Sequence, residues 1–336
     1  MRVLYVLLCV FLLFGCSCDL AETDPKTFRV LSYNVQSLFD ARLDGDEYPE
    51  YQDPKVWTHS AYRQRLKALA TVLLDPALTL PDILFLQEVE GQQVIEDLLT
   101  YHLARKGYRW YAVAKGDGQS IAVAVVSRHP LSGTLVHGTA GIRPVLEVVV
   151  ETDRGPLVFF TLHAKSQIGE LAQTEALRLA LSATLKEAVK AHAGRPVMLC
   201  GDFNEDPDAI WEADGMQTAL VDQTHSKAQA YERLGSLVVG GDSQALGPLG
   251  WYSPYLDQKR TFSVPGSCNW DGTWHQYDQI LGNRMLFDGM GWEFFDFRIK
   301  DLPSCLDADG RPNGWNLATL SGLSDHLPVL LTLKRR

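Results

Sequence analysis

Residues 81–89 read Pro-Asp-Ile-Leu-Phe-Leu-Gln-Glu-Val, with four large apolar residues between a proline and a polar pair. An unbroken apolar run, without alternation of apolar and polar residues, predicts a strand that is buried on both faces. Glu88 follows this run at the end of the predicted strand. Polar side chains at strand ends are placed where scaffolded sites are usually built, so Glu88 is a candidate functional residue.

Short apolar strands recur on both sides of this stretch from Phe28 onward, and some are joined by helical segments. Strands are predicted at Phe28–Tyr33, Ile83–Leu86, Tyr108–Ala114, Ile121–Ser127, Val145–Glu151, Leu157–His163, Val197–Cys200, Gln279–Leu281 and Val329–Leu333. Helices are predicted at Ala61–Leu74, Gln92–Lys106 and about Glu170–His192. The segment Gly235–Pro265, rich in Gly, Pro, Ser and Tyr, is predicted to be an irregular insertion that shapes a substrate cleft. No break in composition divides residues 28–334, so we expect a single domain there.

The composition is that of an ordinary globular protein, with 46% of the 336 residues hydrophobic and 21% charged. The formal net charge of −10 disfavours a surface that holds nucleic acid by bulk electrostatics. A nuclease is still compatible with this charge, because metal ions at a carboxylate cluster can screen an approaching phosphate locally.

The first 16 residues have the pattern of a bacterial secretory signal. Arg2 precedes an apolar run from Val3 to Phe14, and Gly15 and Cys16 follow. This run is shorter than the roughly 20 apolar residues that span a bilayer. Residues 13–16, Leu-Phe-Gly-Cys, resemble a lipobox, in which the cysteine is lipidated and becomes the new N-terminus. We therefore expect export to an extracytoplasmic location, a membrane anchor on Cys16 and a linker over 17–27, with an uncleaved N-terminal anchor as the alternative.

Four cysteines remain beyond the signal and Cys16: Cys18, Cys200, Cys268 and Cys305. None of them has CxxC spacing, which disfavours a zinc site. A Cys268–Cys305 disulfide is compatible with an oxidising compartment, and the sequence alone does not decide whether it forms.

Hard oxygen donors and two histidines stand at or beside strand ends throughout the chain. They are Asn34, Glu88, His163, Asp202, Asn204, Asp278, Asp325 and His326. Asn, Asp and Glu oxygens suit Mg²⁺ or Mn²⁺, and histidines exchange protons near neutral pH. Each residue alone is more often a turn former or a structural hydrogen-bonding group. Together they cover what phosphodiester hydrolysis requires, namely an activated nucleophile, charge neutralisation and a stabilised leaving oxygen.

Six segments together resemble the motifs of the endonuclease/exonuclease/phosphatase superfamily. They are LSYNV at 31–35, PDILFLQEV at 81–89, TLHAKS at 161–166, GDFN at 201–204, YDQI at 277–280 and SDHLP at 324–328. The resemblance spans nearly the whole chain after the signal and is that of a bacterial lipoprotein-type member. It implies an α/β fold, a four-layer α/β/β/α sandwich of two mixed β-sheets packed face to face with helices outside.

The resemblance also implies a role for each matched residue. Asn34, Glu88 and Asp325 would hold the metal, and Asp202 and Asn204 would hold the nucleophilic water and the phosphate. His326, oriented by Asp278, would contact the scissile phosphate, and His163 would stabilise the transition state or assist the leaving group.

The sequence also offers two candidate phosphate-binding cations, and it lacks an acidic residue that commonly orients the first histidine. Arg143 and Lys165 lie where a cation could hold a phosphate oxygen, although solvated cations near strand ends are equally common. Nuclease-type members commonly orient the first histidine with an acid near the strand that begins at Gln119. No Asp or Glu lies between Gln119 and Val126, so the partner of His163 is open.

Three functions are compatible with this pattern. The leading one is a secreted or surface-tethered nuclease that requires Mg²⁺ or Mn²⁺, with nucleic acid as its substrate and no protein partner evident. The second is a sphingomyelinase-like or inositol-phosphate hydrolase, in which Trp251, Tyr252 and Tyr255 would touch lipid. The third is a catalytically inert binding lipoprotein, which would require the loss of metal-binding or catalytic residues.

Overall fold

The computed structural model describes residues 26–138 and 141–336. The predicted signal with Cys16, and the predicted linker up to residue 25, lie outside the described residues. Within the described part of the chain, no helix has the length and apolarity needed to cross a bilayer.

Strands numbered along the chain form two large sheets. The first sheet contains, in spatial order, β15 (Trp292–Ile299), β16 (Val329–Arg335), β1 (Thr27–Leu38), β2 (Ile83–Val89), β4 (Ala122–Ser127) and β3 (Trp110–Ala114). The second contains β5 (Leu131–His137), β6 (Val145–Val150), β7 (Leu157–His163), β8 (Val197–Asp202), β14 (Asp278–Gly282), β11 (Trp251–Tyr252), β10 (Leu237–Gly240) and β9 (Leu220–Asp222). A separate hairpin pairs β12 (Cys268–Trp270) with β13 (Thr273–His275).

Helices cover the outer faces of these sheets. They are α1 (His59–Leu73), α2 (Gln92–Leu98), α3 (Leu171–Val189) and α4 (Ala228–Arg233). A π-helical turn spans Leu99–Leu103, and 3-10 turns span Pro49–Tyr51, Pro76–Leu78, Ala104–Lys106, Lys190–His192, Ala209–Trp211, Arg284–Leu286 and Pro303–Cys305. The predicted helix Gln92–Lys106 is thus α2 followed by a π turn and a 3-10 turn.

The alternation of side chains along β7 shows how the layers are assembled. Leu157 and Phe159 join the core that contains the first sheet, whereas Val158 and Phe160 join the core beneath α3. Successive side chains of a strand point to opposite faces, so a strand between two apolar layers must be apolar at every position. The same reasoning explains the complete burial of residues 83–86 in β2. The arrangement confirms the α/β/β/α sandwich that the resemblance implied.

Two expectations about the segment Gly235–Pro265 are wrong. The segment Gly235–Pro265 is not wholly irregular, because it supplies β10 and β11 to the second sheet. Trp251 and Tyr252 are 5% and 3% exposed, and Tyr255 packs against two phenylalanine rings, so these aromatic side chains are not available to touch lipid.

The structure settles the Cys268–Cys305 disulfide, which the sequence left undecided, because both cysteines are free. Cys268 and Cys305 are separate buried thiols, the first beside His326 and the second beside Tyr33. Each thiol is accommodated as a small, largely apolar side chain of its own part of the core.

Candidate active site

Strand register gathers the candidate residues at one end of both sheets. In the second sheet, His163 pairs with Asp202 at the ends of parallel β7 and β8, and Asp202 pairs in turn with Asp278 at the start of antiparallel β14. In the first sheet, Asn34 of β1 pairs with the residue before Glu88 in parallel β2. The two sheet ends meet in a cleft of about 540 Å³. Both sheets therefore contribute side chains to one site.

Glu88 reaches this cleft through an irregularity of its strand. Strand alternation would send Glu88 to the face opposite its neighbour Gln87, whose amide lies between the sheets near Thr161. The register of β2 shifts between Gln87 and Val89, and Glu88 has a φ of 64°. A bulge of this kind re-aims a side chain, and strained backbone is concentrated at functional sites.

The Asn34 amide joins carboxylates that belong to different sheets. Its Nδ2 donates to Glu88 Oε1 at 3.1 Å and to Asp202 Oδ2 at 3.0 Å. Glu88 Oε2 also accepts a hydrogen bond from the Ser37 backbone N–H at 2.9 Å. These contacts fix two acidic side chains close together in a largely buried place.

His326 and Asp278 form a buried ion pair. His326 Nδ1 lies 2.7 Å from Asp278 Oδ2, which also accepts a hydrogen bond from Ser267 Oγ at 2.7 Å. Burial by itself lowers the pKa of His326, but the Asp278 carboxylate raises it, and the pKa lies well above its ordinary value. His326 is therefore a cation near neutral pH, with Nδ1 committed to Asp278 and Nε2 left to face the cleft.

His163 has the opposite electrostatic character. Burial, together with the charges of Arg143 and other nearby cations, holds the pKa of His163 well below its ordinary value. Its Nε2 lies 3.5 Å from Asp202 Oδ2, so both histidines face the same carboxylate. The two imidazoles thus offer one neutral and one cationic group to the cleft.

One ring nitrogen of His163 is left unpaired within the described part of the chain, and the Gln119 amide lies at the same cavity as this ring. The Nδ1 of His163 is buried without a hydrogen-bond partner among the described residues, and so is Oε1 of Gln119. Both side chains line a cavity of about 120 Å³ behind the site. A cavity of this size between two polar atoms has room for a bridging water.

The carboxylates of the cleft fit a divalent cation. Burial raises the pKa of both Asp202 and Asp325, and the nearby Glu88 carboxylate raises the pKa of Asp325 further. Converging carboxylates repel each other, and an oxygen-liganded cation such as Mg²⁺ relieves that repulsion. Asp202, Asp278 and His326 also place ligand atoms within 4.8 Å of one another. That trio is a poorer metal site, because His326 is a cation bonded to Asp278.

The structure separates the two candidate phosphate-binding cations. Arg143 lines the cleft, where its Nη1 donates to the Ala164 carbonyl oxygen at 2.8 Å. Lys165 does not line it, because its Nζ donates to Ser166 Oγ and to the Ile168 carbonyl oxygen of its own loop. Arg143 is therefore the better placed of the two.

Sequence reasoning gave no role to several residues of the site, although Tyr277 and Ser324 stand in the matched motifs. The supporting group is Gln36, Ser37, Ser267 and Ser324, and the cleft wall adds Tyr48, Gln167, Trp270, His275 and Tyr277. The serines carry no periodic or compositional signal. Residues 268–277 supply one part of this wall and Gly235–Pro265 supplies none of it, which corrects the expectation that this insertion shapes the cleft.

Comparisons with known proteins agree with this geometry. The sequence matches the Endonuclease/Exonuclease/phosphatase family over residues 31–326. No curated protein sequence matches it. Solved structures with the same fold include the human nocturnin catalytic domain with bound sulfate, at 16% identity and a TM-score of 0.55, over 93% of this chain and 95% of that chain.

Two further structures are similar at 16% identity. Danio rerio TDP2 in complex with a single-strand DNA product has a TM-score of 0.51 and covers 92% of this chain and 99% of that chain. An AP endonuclease from Archaeoglobus fulgidus has a TM-score of 0.52 and covers 90% of this chain and 98% of that chain. At such low identity these likenesses bear on the fold, while the family match covers the residues of the site. The chain belongs to the endonuclease/exonuclease/phosphatase family and is a metal-dependent phosphodiesterase.

Proposed function

We propose that the chain is an extracytoplasmic nuclease, tethered to a membrane by lipid on Cys16. The observation that carries the nuclease assignment is the convergence of both histidines on Asp202, with Nε2 distances of 3.5 Å for His163 and 3.9 Å for His326. A phosphodiester bound there would meet an acid, a base and a cation site in one cleft. Nucleic acid is favoured as the substrate because similar folds include a TDP2 with bound DNA product and an AP endonuclease.

The residues divide the work of an in-line displacement. Asp202 accepts the proton of the attacking water, and its raised pKa suits a general base near neutral pH. Asn204, whose backbone N–H donates to Asp202 Oδ1 at 2.8 Å, orients the phosphate. His326 donates from Nε2 to a phosphoryl oxygen while Asp278 holds its Nδ1, and His163 stabilises the transition state.

Glu88 and Asp325 would hold the metal. Mg²⁺ or Mn²⁺ held there would supply charge neutralisation for the phosphodiester. Asn34, which the resemblance implied as a third ligand, instead positions the Glu88 carboxylate, because its Nδ2 donates to Glu88 Oε1 and its Oδ1 accepts the Gln36 backbone N–H. Arg143 binds a non-bridging oxygen from the cleft wall. Lys165 has no part in this mechanism, because its ammonium is bonded within its own loop.

The decisive experiment incubates protein lacking residues 1–16 with plasmid DNA in Mg²⁺, Mn²⁺ or EDTA. Metal-dependent nicking that His326→Ala abolishes, with an unchanged circular dichroism spectrum, would support the nuclease. No nicking by the folded wild type would direct the same assay to sphingomyelin and inositol phosphates. Failure on all of these substrates would favour the inert binding lipoprotein.

The location requires a separate test. A Cys16→Ser variant of the full chain should move from the membrane fraction to the soluble fraction if lipid on this residue is the anchor. If both forms stay in the membrane fraction, an uncleaved N-terminal anchor explains the attachment. If the wild type is soluble, the tether is wrong.

A further inference from the structure

The β12–β13 hairpin closes with a tight two-residue turn. Trp270 pairs with Thr273, and the two residues between them, Asp271 and Gly272, have φ values of 49° and 81°. Positive φ at both central residues is the signature of the type I′ turn, whose twist matches that of paired strands. A tight turn of this type fixes the direction in which Trp270 projects.

The base of the hairpin is joined to catalytic segments on two sides. Cys268 forms a β-bridge with His326, and the next backbone N–H along the chain, that of Leu327, donates to the Ser267 carbonyl oxygen. On the other strand, His275 Nδ1 lies 2.7 Å from Oδ2 of Asp206, two residues after Asn204. These contacts position the hairpin relative to the reacting groups.

Trp270 is exposed although it lines the catalytic cleft. Its side chain is 56% exposed, whereas Trp274 on the partner strand packs against the core. Ile168, on the loop that follows His163, is 66% exposed and lines the same cleft. Two large apolar groups therefore flank the opening through which a phosphodiester must enter, and neither contributes to folding as much as burial would allow.

We propose that the Trp270 indole is a stacking platform for the base of a nucleotide next to the scissile phosphate. An exposed, rigidly presented aromatic ring beside a phosphate site matches a substrate with a flat apolar ring adjacent to that phosphate. A nucleotide has this arrangement, whereas an isolated phosphomonoester of a polyol does not. This inference rests on the proposed nuclease function and specifies the kind of nucleic acid that is cleaved.

The platform favours unpaired nucleic acid. A base inside a continuous duplex is stacked on both faces and cannot present a face to the indole. A single strand, a loop or a flipped nucleotide can do so without breaking base pairs. The enzyme should therefore cleave single-stranded or locally unpaired substrate faster than duplex of the same sequence.

The test measures kcat/KM for each of several protein variants on each of several substrates, as in a double-mutant cycle. The substrates are single-stranded oligonucleotides with one phosphodiester among phosphorothioates, carrying either a normal base or an abasic residue on each side of that linkage. The proteins are the wild type, Trp270→Ala, Trp270→Phe and Trp211→Ala. Trp211 is the matched control, because it is 57% exposed and does not line the cleft.

We expect Trp270→Ala to lower kcat/KM on the normal substrate by about 5- to 150-fold, the range for loss of one base–aromatic stack. Removing the base on one side should cost the wild type a similar factor and the alanine variant almost nothing. Trp270→Phe should retain most of the activity, and Trp211→Ala should match the wild type. Stacking would be refuted if base removal lowered kcat/KM equally for the wild type and Trp270→Ala, or if Trp270→Ala had the kcat/KM of the wild type. Either result would leave the nuclease assignment standing. No cleavage of any oligonucleotide by the wild type would refute both.

Discussion

Replacing Asp278 by asparagine removes one buried charge from the site and leaves its shape nearly unchanged. The carboxylate accepts hydrogen bonds from His326 Nδ1 and Ser267 Oγ, each at 2.7 Å, and it is completely buried. Hydrogen bonds to charged groups contribute about 1.5–3 kcal/mol. If that energy is expressed when the imidazolium acts on the phosphate, kcat should fall about 10- to 150-fold. KM should change much less, because Asp278 does not touch the substrate.

The same substitution should change the pH dependence in a defined direction. The pKa of His326 lies above its ordinary value because the Asp278 carboxylate outweighs the effect of burial. The cationic form is lost as pH rises through that pKa, so the alkaline limb of the kcat profile should move to lower pH in Asp278→Asn. Ser267→Ala keeps the carboxylate and should leave the alkaline limb in place. A folded Asp278→Asn variant with wild-type kcat and an unmoved alkaline limb would show that the ion pair has no part in turnover.

Three other perturbations test different parts of the structure. Gly201→Ala places a Cβ 2.1 Å from a carbonyl oxygen of β7, at a φ of 142°, and should destabilise the fold by about 2–4 kcal/mol in chemical denaturation. Gly91→Ala meets nothing within 4 Å and should be neutral; equal stabilities would contradict the close approach of β7 and β8. Mg²⁺ at about 100 times its Kd should stabilise the wild type by about 2.7 kcal/mol in thermal unfolding, and Glu88→Gln should lose this effect. The stabilisation by Mg²⁺ should decrease as pH falls, because burial raises the pKa of Asp325 and its carboxylate is therefore protonated at a higher pH than usual. A stabilisation that does not change with pH would mean that the ion binds at a site without Asp325. Gln119→Ala should lower kcat about 2- to 10-fold, because it removes the amide oxygen that water in the shared cavity would join to His163 Nδ1, and Gln119→Glu should restore kcat. If both variants match the wild type, this cavity does not orient His163.

Long apolar strands were predictable from sequence because both of their faces are buried. β7 begins and ends at the predicted residues, and β2 continues only three residues past the predicted end. The strands β9, β10 and β11 were not predicted, because two to four residues carry too little periodicity to be distinguished from loops. They exist because they pair with one another and, through β11, with β14, so tertiary pairing and not local propensity decides them. The buried position of Trp251 follows from that pairing and could not be derived from composition.

The sequence predicted which residues form the candidate site, but it did not predict where their side chains point. The motifs identified the histidines and carboxylates that meet in the cleft, because chemistry restricts the residue types at those positions. They did not predict that Lys165 bonds to its own loop, since the direction of a flexible side chain depends on backbone torsions. They also gave no sign of Ser267, whose only qualification is its place beside Asp278 in the folded chain.

The site is divided between two sheets, so the rate of turnover depends on how closely the two sheets pack against each other. Asn34 and Glu88 come from one sheet and Asp202 from the other, and the distances that join them are hydrogen-bond distances of about 3 Å. A state that keeps its strands and helices but lets the layers separate slightly would break these bonds first. Phe159→Ala removes a ring from the core between the layers and should leave a void there. We therefore expect this variant to lose activity while its far-ultraviolet circular dichroism spectrum still shows the native secondary structure. Inactivity in this family can thus arise from loosened packing far from any residue that contacts a phosphate.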